Sequence, residues 1–164
     1  MSERLIRVSL ARQQLTLLES GKAARVYPVS TARNGSGERR GSGGTPCGWH
    51  RIRIKIGAGL PLNAVLVGRR PTGEIYGPEL VARYPERDWI LTRILWLTGL
   101  ESGFNRGGDC DTLRRFIYVH GCPDDAPLGV PLSHGCIRMG NRDLLDLFER
   151  VAAGDRVFIA SHGE

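Results

Sequence analysis

Two of the chain's four histidines and two of its four cysteines fall within one short span. Residues 118–138 read Tyr-Val-His-Gly-Cys-Pro-Asp-Asp-Ala-Pro-Leu-Gly-Val-Pro-Leu-Ser-His-Gly-Cys-Ile-Arg. A thiol nucleophile needs a base within hydrogen-bond reach and donors aimed at the oxyanion it creates. His120 leaves the end of an apolar run, and Pro123, Pro127, Gly129 and Pro131 shape a returning loop that can bring its imidazole back to Cys136. A free thiol of pKa about 8.5 is only a few per cent thiolate at neutral pH, and a neighbouring imidazole is the usual remedy. Gly121 and Gly135 leave the backbone open for N–H groups near Cys136 to face a substrate carbonyl. Cys47, Cys110 and Cys122 have no base beside them and read as structural or incidental, as do His50 and His162, taken as surface or strand residues. The rival chemistry is a His₂Cys₂ zinc clip built from His120, Cys122, His134 and Cys136, but ligands one residue apart fit tetrahedral zinc poorly beside the usual two-to-four-residue spacers. No metal and no cofactor are expected.

With 164 residues, 41% hydrophobic and 24% charged, the chain can bury a core, and one domain spanning 1–164 is the expectation. The net charge of +6 comes almost wholly from arginine, since Lys22 and Lys55 are the only lysines. The arginines are scattered, with only short pairs such as Arg39-Arg40 and Arg114-Arg115, so the nucleic-acid-binding β module that charge alone suggests lacks its basic run, and no nucleic-acid partner is expected. A basic surface equally suits a substrate bearing carboxylates. No segment approaches the roughly 18 apolar residues of a membrane span, and Met1-Ser2-Glu3-Arg4 opens no apolar leader; the expectation is a cytoplasmic chain with free thiols and no membrane partner. Nothing in the sequence specifies an oligomeric state.

The elements that must hold the 118–138 span are mostly strands. Residues 5–18 and 24–30 read as antiparallel strands around the Glu19-Ser20-Gly21-Lys22 turn, and 49–56 alternate strictly between polar and apolar. Residues 32–44 are Gly, Ser, Asn and Arg with little to bury, an exposed and mobile loop without an assigned role. Residues 57–87 read as loops and small strands, and 89–97 and 116–119 as central strands. One helix is expected over 142–153, with Asn141 as N-cap, an apolar stripe of Leu144, Leu145, Leu147, Phe148 and Val151, and Gly154 at its end; a strand at 156–160 follows. The fold class is mainly β.

His120-Gly121 and Ser133-His134-Gly135-Cys136-Ile137-Arg138, with Tyr27-Pro28-Val29-Ser30-Thr31, Thr45-Pro46-Cys47-Gly48 and Gly154-Asp155-Arg156-Val157, resemble the L,D-transpeptidase catalytic domain, also called YkuD, over nearly the whole chain. The resemblance implies a β-sandwich-like domain without metal, with one helix after the cysteine motif. It implies Cys136 as acylated nucleophile, His120 as its base, the Gly121 carbonyl orienting that imidazole, and backbone groups of His134, Gly135 and Cys136 at the oxyanion. Ser133 would brace the loop, and Arg138 would either hold a substrate carboxylate or pair with Asp143 or Asp146. The implied substrate is the peptidoglycan tetrapeptide stem or a muropeptide, cleaved after the L-centre of meso-diaminopimelate with release of D-alanine. Water as acceptor makes an L,D-carboxypeptidase, the reading that a cytoplasmic location favours through muropeptide recycling; an amine acceptor makes a transpeptidase.

Overall fold

The computed structural model describes residues 3–162, and ten strands form one continuous sheet. In chain order they are β1 (Arg4–Ser9), β2 (Gln14–Glu19), β3 (Lys22–Ser30), β4 (Gly48–Ile56), β5 (Ala64–Val67), β6 (Arg70–Ile75), β7 (Ile90–Gly99), β8 (Tyr118–Gly121), β9 (Ile137–Met139) and β10 (Arg156–Ala160). The order β4-β10-β1-β2-β3-β9-β8-β7, with β7 pairing back to β4, closes eight of them into a barrel; β5 and β6 form a hairpin attached to the start of β7. The mainly-β expectation holds, and closure removes the free edges of the eight barrel strands, leaving β6 as the edge of its hairpin. Ile6, Leu15, Leu17, Leu95, Val119, Ile137 and their neighbours fill the barrel.

The strand read at 49–56 keeps its alternation only as far as Ile52. A bulge between Ile52 and Ile54 shifts the register against β7. It leaves Ile54 39% exposed, and Lys55 donates to the carbonyls of Phe148 and Val151 at 2.6 and 2.7 Å. Those carbonyls end helix α2 (Asn141–Arg150; α1 is Pro78–Arg83), so a lysine from a distant strand supplies the C-terminal cap. The helix therefore stops earlier than the expected Ala153, with Val151 already extended, and Gly154 serves the following turn by donating to the Ile52 carbonyl. At the other end Gly140 occupies the N-cap and Asn141 turns its side chain inward, which corrects its assignment as cap. Leu144, Leu147, Phe148 and Val151 bury the expected stripe and Leu145 lies at its margin; full burial of each such side chain stabilises by roughly 1.5–3 kcal/mol.

The 57–87 segment holds the β5–β6 hairpin and also α1, a short helix that its Gly- and Pro-rich composition concealed; Pro78 stands in its first turn. The 32–44 loop is exposed along much of its length but is tied by its own backbone and by the barrel. Ala32 and Thr45 are fully buried, Gly37 N–H and Thr45 N–H cross-bond to Thr45 and Gly35 carbonyls, and Arg40 N–H reaches the Asp109 carbonyl. Among the described residues no helix is long and apolar enough to cross a membrane.

Candidate active site

Strands β8 and β9 run parallel, pairing Val119 with Ile137, His120 with Arg138 and Gly121 with Met139. Alternation sends Val119, Ile137 and Met139 into the barrel core and Tyr118, His120, Cys136 and Arg138 to the opposite face. Sixteen positions apart in sequence, His120 and Cys136 thus meet on one face of adjacent strands, beneath a cavity of about 310 Å³.

The thiol is held between two backbone groups, one at the start of β8 and one in the turn that leads into it. Tyr118 N–H donates to Cys136 Sγ at 3.3 Å, and the thiol donates to the Phe116 carbonyl at 3.3 Å. Phe116 sits at φ 59°, a strained conformation for a bulky residue that aims its carbonyl at the sulfur. His120 is 1% exposed and its Nδ1 lies 2.7 Å from the Gly121 carbonyl. A carbonyl can only accept, so Nδ1 carries the proton and Nε2 is left with a lone pair. Burial pushes the Cys136 thiol up to about 12, with Asp88 adding to the rise and the Tyr118 N–H, Arg138 and Arg115 opposing it. Burial likewise lowers the His120 imidazole, against the opposing pull of the Gly121 carbonyl and Asp88. Both shifts favour the uncharged forms, a neutral thiol beside a neutral imidazole.

The turn before Cys136 is built from Ser133 and Gly135. Ser133 Oγ donates to the Cys136 carbonyl at 2.6 Å and accepts the Gly135 N–H at 3.2 Å. Gly135 adopts φ 140°, and a Cβ there would press on Ile117 and the Gly44 carbonyl. Gly121 is equally constrained, since a Cβ would run into the Asn141 side-chain oxygen and the Leu91 carbonyl. The His134 side chain is 80% exposed, 3.9 Å from Asp88. Arg138 pairs with Asp88 at 3.4 Å, a partner contributed by the approach to β7, and with neither Asp143 nor Asp146; Asp146 instead receives Tyr27, Arg25 and Arg150.

Three features around the site escaped sequence reasoning. Asn141 donates to the Cys122 carbonyl at 2.8 Å and accepts from Thr92 Oγ1 at 2.6 Å, fixing the strand end that carries His120-Gly121. Thr92, fully buried at φ 74°, lies in a β7 bulge that separates the barrel part of the strand from the part that carries β5. The 32–45 loop forms one wall: Thr45 Oγ1 donates to the Gly135 carbonyl at 2.9 Å, and Arg115 binds the carbonyls of Gly37 and Gly44. Only the Thr-Pro-x-Gly landmark hinted at this contact. Of the other cysteines, Cys122 is buried with its thiol raised to about 11 by desolvation, Cys47 is half-buried and raised likewise, and all four are free. His50 is a strand residue of β4, fully buried between the Gly48 carbonyl and Thr112 Oγ1, and burial lowers it to about 4. Among the described residues no group of three or more His, Cys, Asp or Glu gathers to hold a metal ion.

The structure is thus a closed β-barrel that carries a thiol and an imidazole on one face of adjacent parallel strands. The chain belongs to the L,D-transpeptidase catalytic domain (YkuD) family, whose description matches residues 3–159. Its barrel resembles an L,D-transpeptidase from Mycobacterium smegmatis, at TM-score 0.60 and 21% identity over 97% of this chain and 59% of that one. It also resembles L,D-transpeptidase 3 from Mycobacterium tuberculosis bearing a faropenem-derived adduct, at TM-score 0.58 and 19% identity over 96% of this chain and 60% of that one. In sequence, 43 residues are 42% identical to the probable L,D-transpeptidase YbiS of Escherichia coli strain K12, covering 26% of this chain and 14% of YbiS. The chain thus spans well under two thirds of these relatives.

Proposed function

We propose that Cys136 is the acylated nucleophile, and His120 its general base, of an L,D-carboxypeptidase that cleaves the bond before the terminal D-alanine of a peptidoglycan tetrapeptide stem. The observation that carries this reading is the β8–β9 register, which brings both groups to one face under one cavity. As Sγ attacks the scissile carbonyl, its proton passes to His120 Nε2, while the Gly121 carbonyl holds the imidazole and stabilises the imidazolium. The oxyanion is met by backbone N–H groups of the His134–Cys136 turn; the Gly135 N–H is already engaged by Ser133, which leaves those of His134 and Cys136. Collapse breaks the C–N bond, His120 returns the proton to the departing D-alanine amine, and a thioester remains. Water then attacks it, with His120 taking the water proton and delivering it to the sulfur.

Two observations support water as acceptor in muropeptide trimming. The cavity, about 310 Å³, lies at the lower end of ligand-site volumes and suits a small acceptor better than a second stem. All four cysteines are free thiols, which suits the reducing cytoplasm. The names of the relatives favour the second reading, an amine acceptor that gives a cross-link or a D-amino-acid exchange. Mass spectrometry of the protein incubated with a disaccharide-tetrapeptide, with and without a D-amino acid or a second stem, separates them. Tripeptide plus free D-alanine without exchange product establishes hydrolysis; an exchanged or cross-linked stem establishes transfer. Cys136→Ala should abolish both and His120→Ala should cost several orders of magnitude; turnover by Cys136→Ala would refute the mechanism.

A further inference from the structure

Three guanidinium groups line the cavity above Cys136, and two are engaged. Arg138 pairs with Asp88, and Arg115 donates to the Gly37 and Gly44 carbonyls. Arg69 is held differently. It is the second residue of the two-residue turn joining β5 and β6, with Gly68 at φ 56° and Arg69 at φ 66°. Such turns favour asparagine and glycine, and an arginine in the left-handed region bears a steric cost that those residues largely avoid. Its guanidinium lies over two aromatic rings, 5.0 Å from the centre of Trp96 and 4.7 Å from that of Phe116, and gives one N–H to the Tyr118 hydroxyl at 3.2 Å. These contacts hold the group in place without neutralising it, and among the described residues no carboxylate pairs with it. Tyr118 links this cation to the nucleophile: its backbone N–H meets Cys136 Sγ and its hydroxyl meets Arg69. An unneutralised guanidinium held by two rings and a hydroxyl, and bridged to the thiol by Tyr118, is a pre-oriented receptor for a carboxylate, because little side-chain freedom remains to be lost on binding.

We propose that Arg69 is a specificity-determining residue that binds a substrate carboxylate at the mouth of the Cys136 cavity, a proposal that rests on the reading of Cys136 as the acylated nucleophile. Two carboxylates of a stem could fill the site: that of the departing D-amino acid, and the side-chain carboxylate of the diamino acid that becomes acylated. The test compares wild type, Arg69→Gln and Arg69→Lys on three tetrapeptide donors: the free acid, its C-terminal amide, and the amide of the diamino-acid side chain. Arg69→Gln should lower kcat/KM for the free acid roughly 10- to 100-fold, the range for losing a charge-assisted hydrogen bond. It should cost nothing further on the one amide that has already lost the contacted carboxylate, which identifies the source. Arg69→Lys, charged but without the fork, should fall between. An equal loss on all three donors, or no loss on any, overturns the proposal. Calorimetric binding of the same peptides to Cys136→Ala, with and without Arg69→Gln, separates the two readings. If wild type never forms an acyl-enzyme, the reading of Cys136 fails, and a free-acid preference in Cys136→Ala that Arg69→Gln does not abolish overturns the role of Arg69.

Discussion

Alkylation of Cys136 tests the electrostatics of the resting site most directly. With the thiol raised to about 12, the thiolate fraction at pH 7 is on the order of 10⁻⁵, against roughly 3% for a free cysteine of pKa about 8.5. Iodoacetamide should therefore label Cys136 at neutral pH about 3,000-fold more slowly than a free thiol. The logarithm of the rate should climb with unit slope beyond pH 10 and show no plateau near neutrality. His120→Ala should leave this profile almost unchanged, because a neutral imidazole contributes no charge to hold the thiolate. The assay is pH-jump alkylation read by intact mass, with Cys47, Cys110 and Cys122 replaced by serine or alanine so that one thiol reports. A plateau at neutral pH that disappears in His120→Ala would show a preformed thiolate–imidazolium pair and refute the reasoning. Slow alkylation beside fast turnover would place proton transfer after substrate has entered and excluded water.

Replacing Thr45 by Val keeps the shape but removes the hydroxyl that accepts the Ala32 N–H and donates to the Gly135 carbonyl; it should cost about 1–3 kcal/mol in chemical denaturation and lower kcat, because the turn before Cys136 loses its wall. Asn141→Ala strands the Thr92 hydroxyl and the Cys122 carbonyl in the interior, with an expected loss of about 2–5 kcal/mol by urea unfolding. Acid should destabilise the barrel through its buried histidines. His50 is lowered from 6.5 to about 4, so between those values the unfolded chain binds the extra proton and stability falls as pH falls. The His50 share approaches roughly 3 kcal/mol at the low end. His120 acts in the same direction, and His50→Gln should flatten the slope of stability against pH.

The sequence by itself determined the strand-rich class, the helix after the cysteine motif and the residue types of the site. Those signals are local: alternation in the apolar runs, a 144, 147, 148, 151 stripe, and His120-Gly121 and Ser133-His134-Gly135-Cys136 set one short loop apart. Tertiary structure decided how those residues are used. Alternation over 49–56 could not reveal the bulge at Ile52, because the bulge serves a helix end almost a hundred residues away through Lys55. Asn141 has the chemistry of a cap, but a capping side chain competes with every other buried acceptor, and the Cys122 carbonyl and Thr92 hydroxyl won. Arg138 had acids near in sequence at Asp143 and Asp146, yet strand pairing turned it toward Asp88 from another element. The loop at 32–44 looked free because it lacks apolar side chains; hydrogen bonds from Thr45 and Arg115 hold it, and such bonds leave no periodic trace in a sequence. Long-range pairing bears on the site's charge balance as well, since the burial it brings raises the thiol and lowers the imidazole, both toward their uncharged forms.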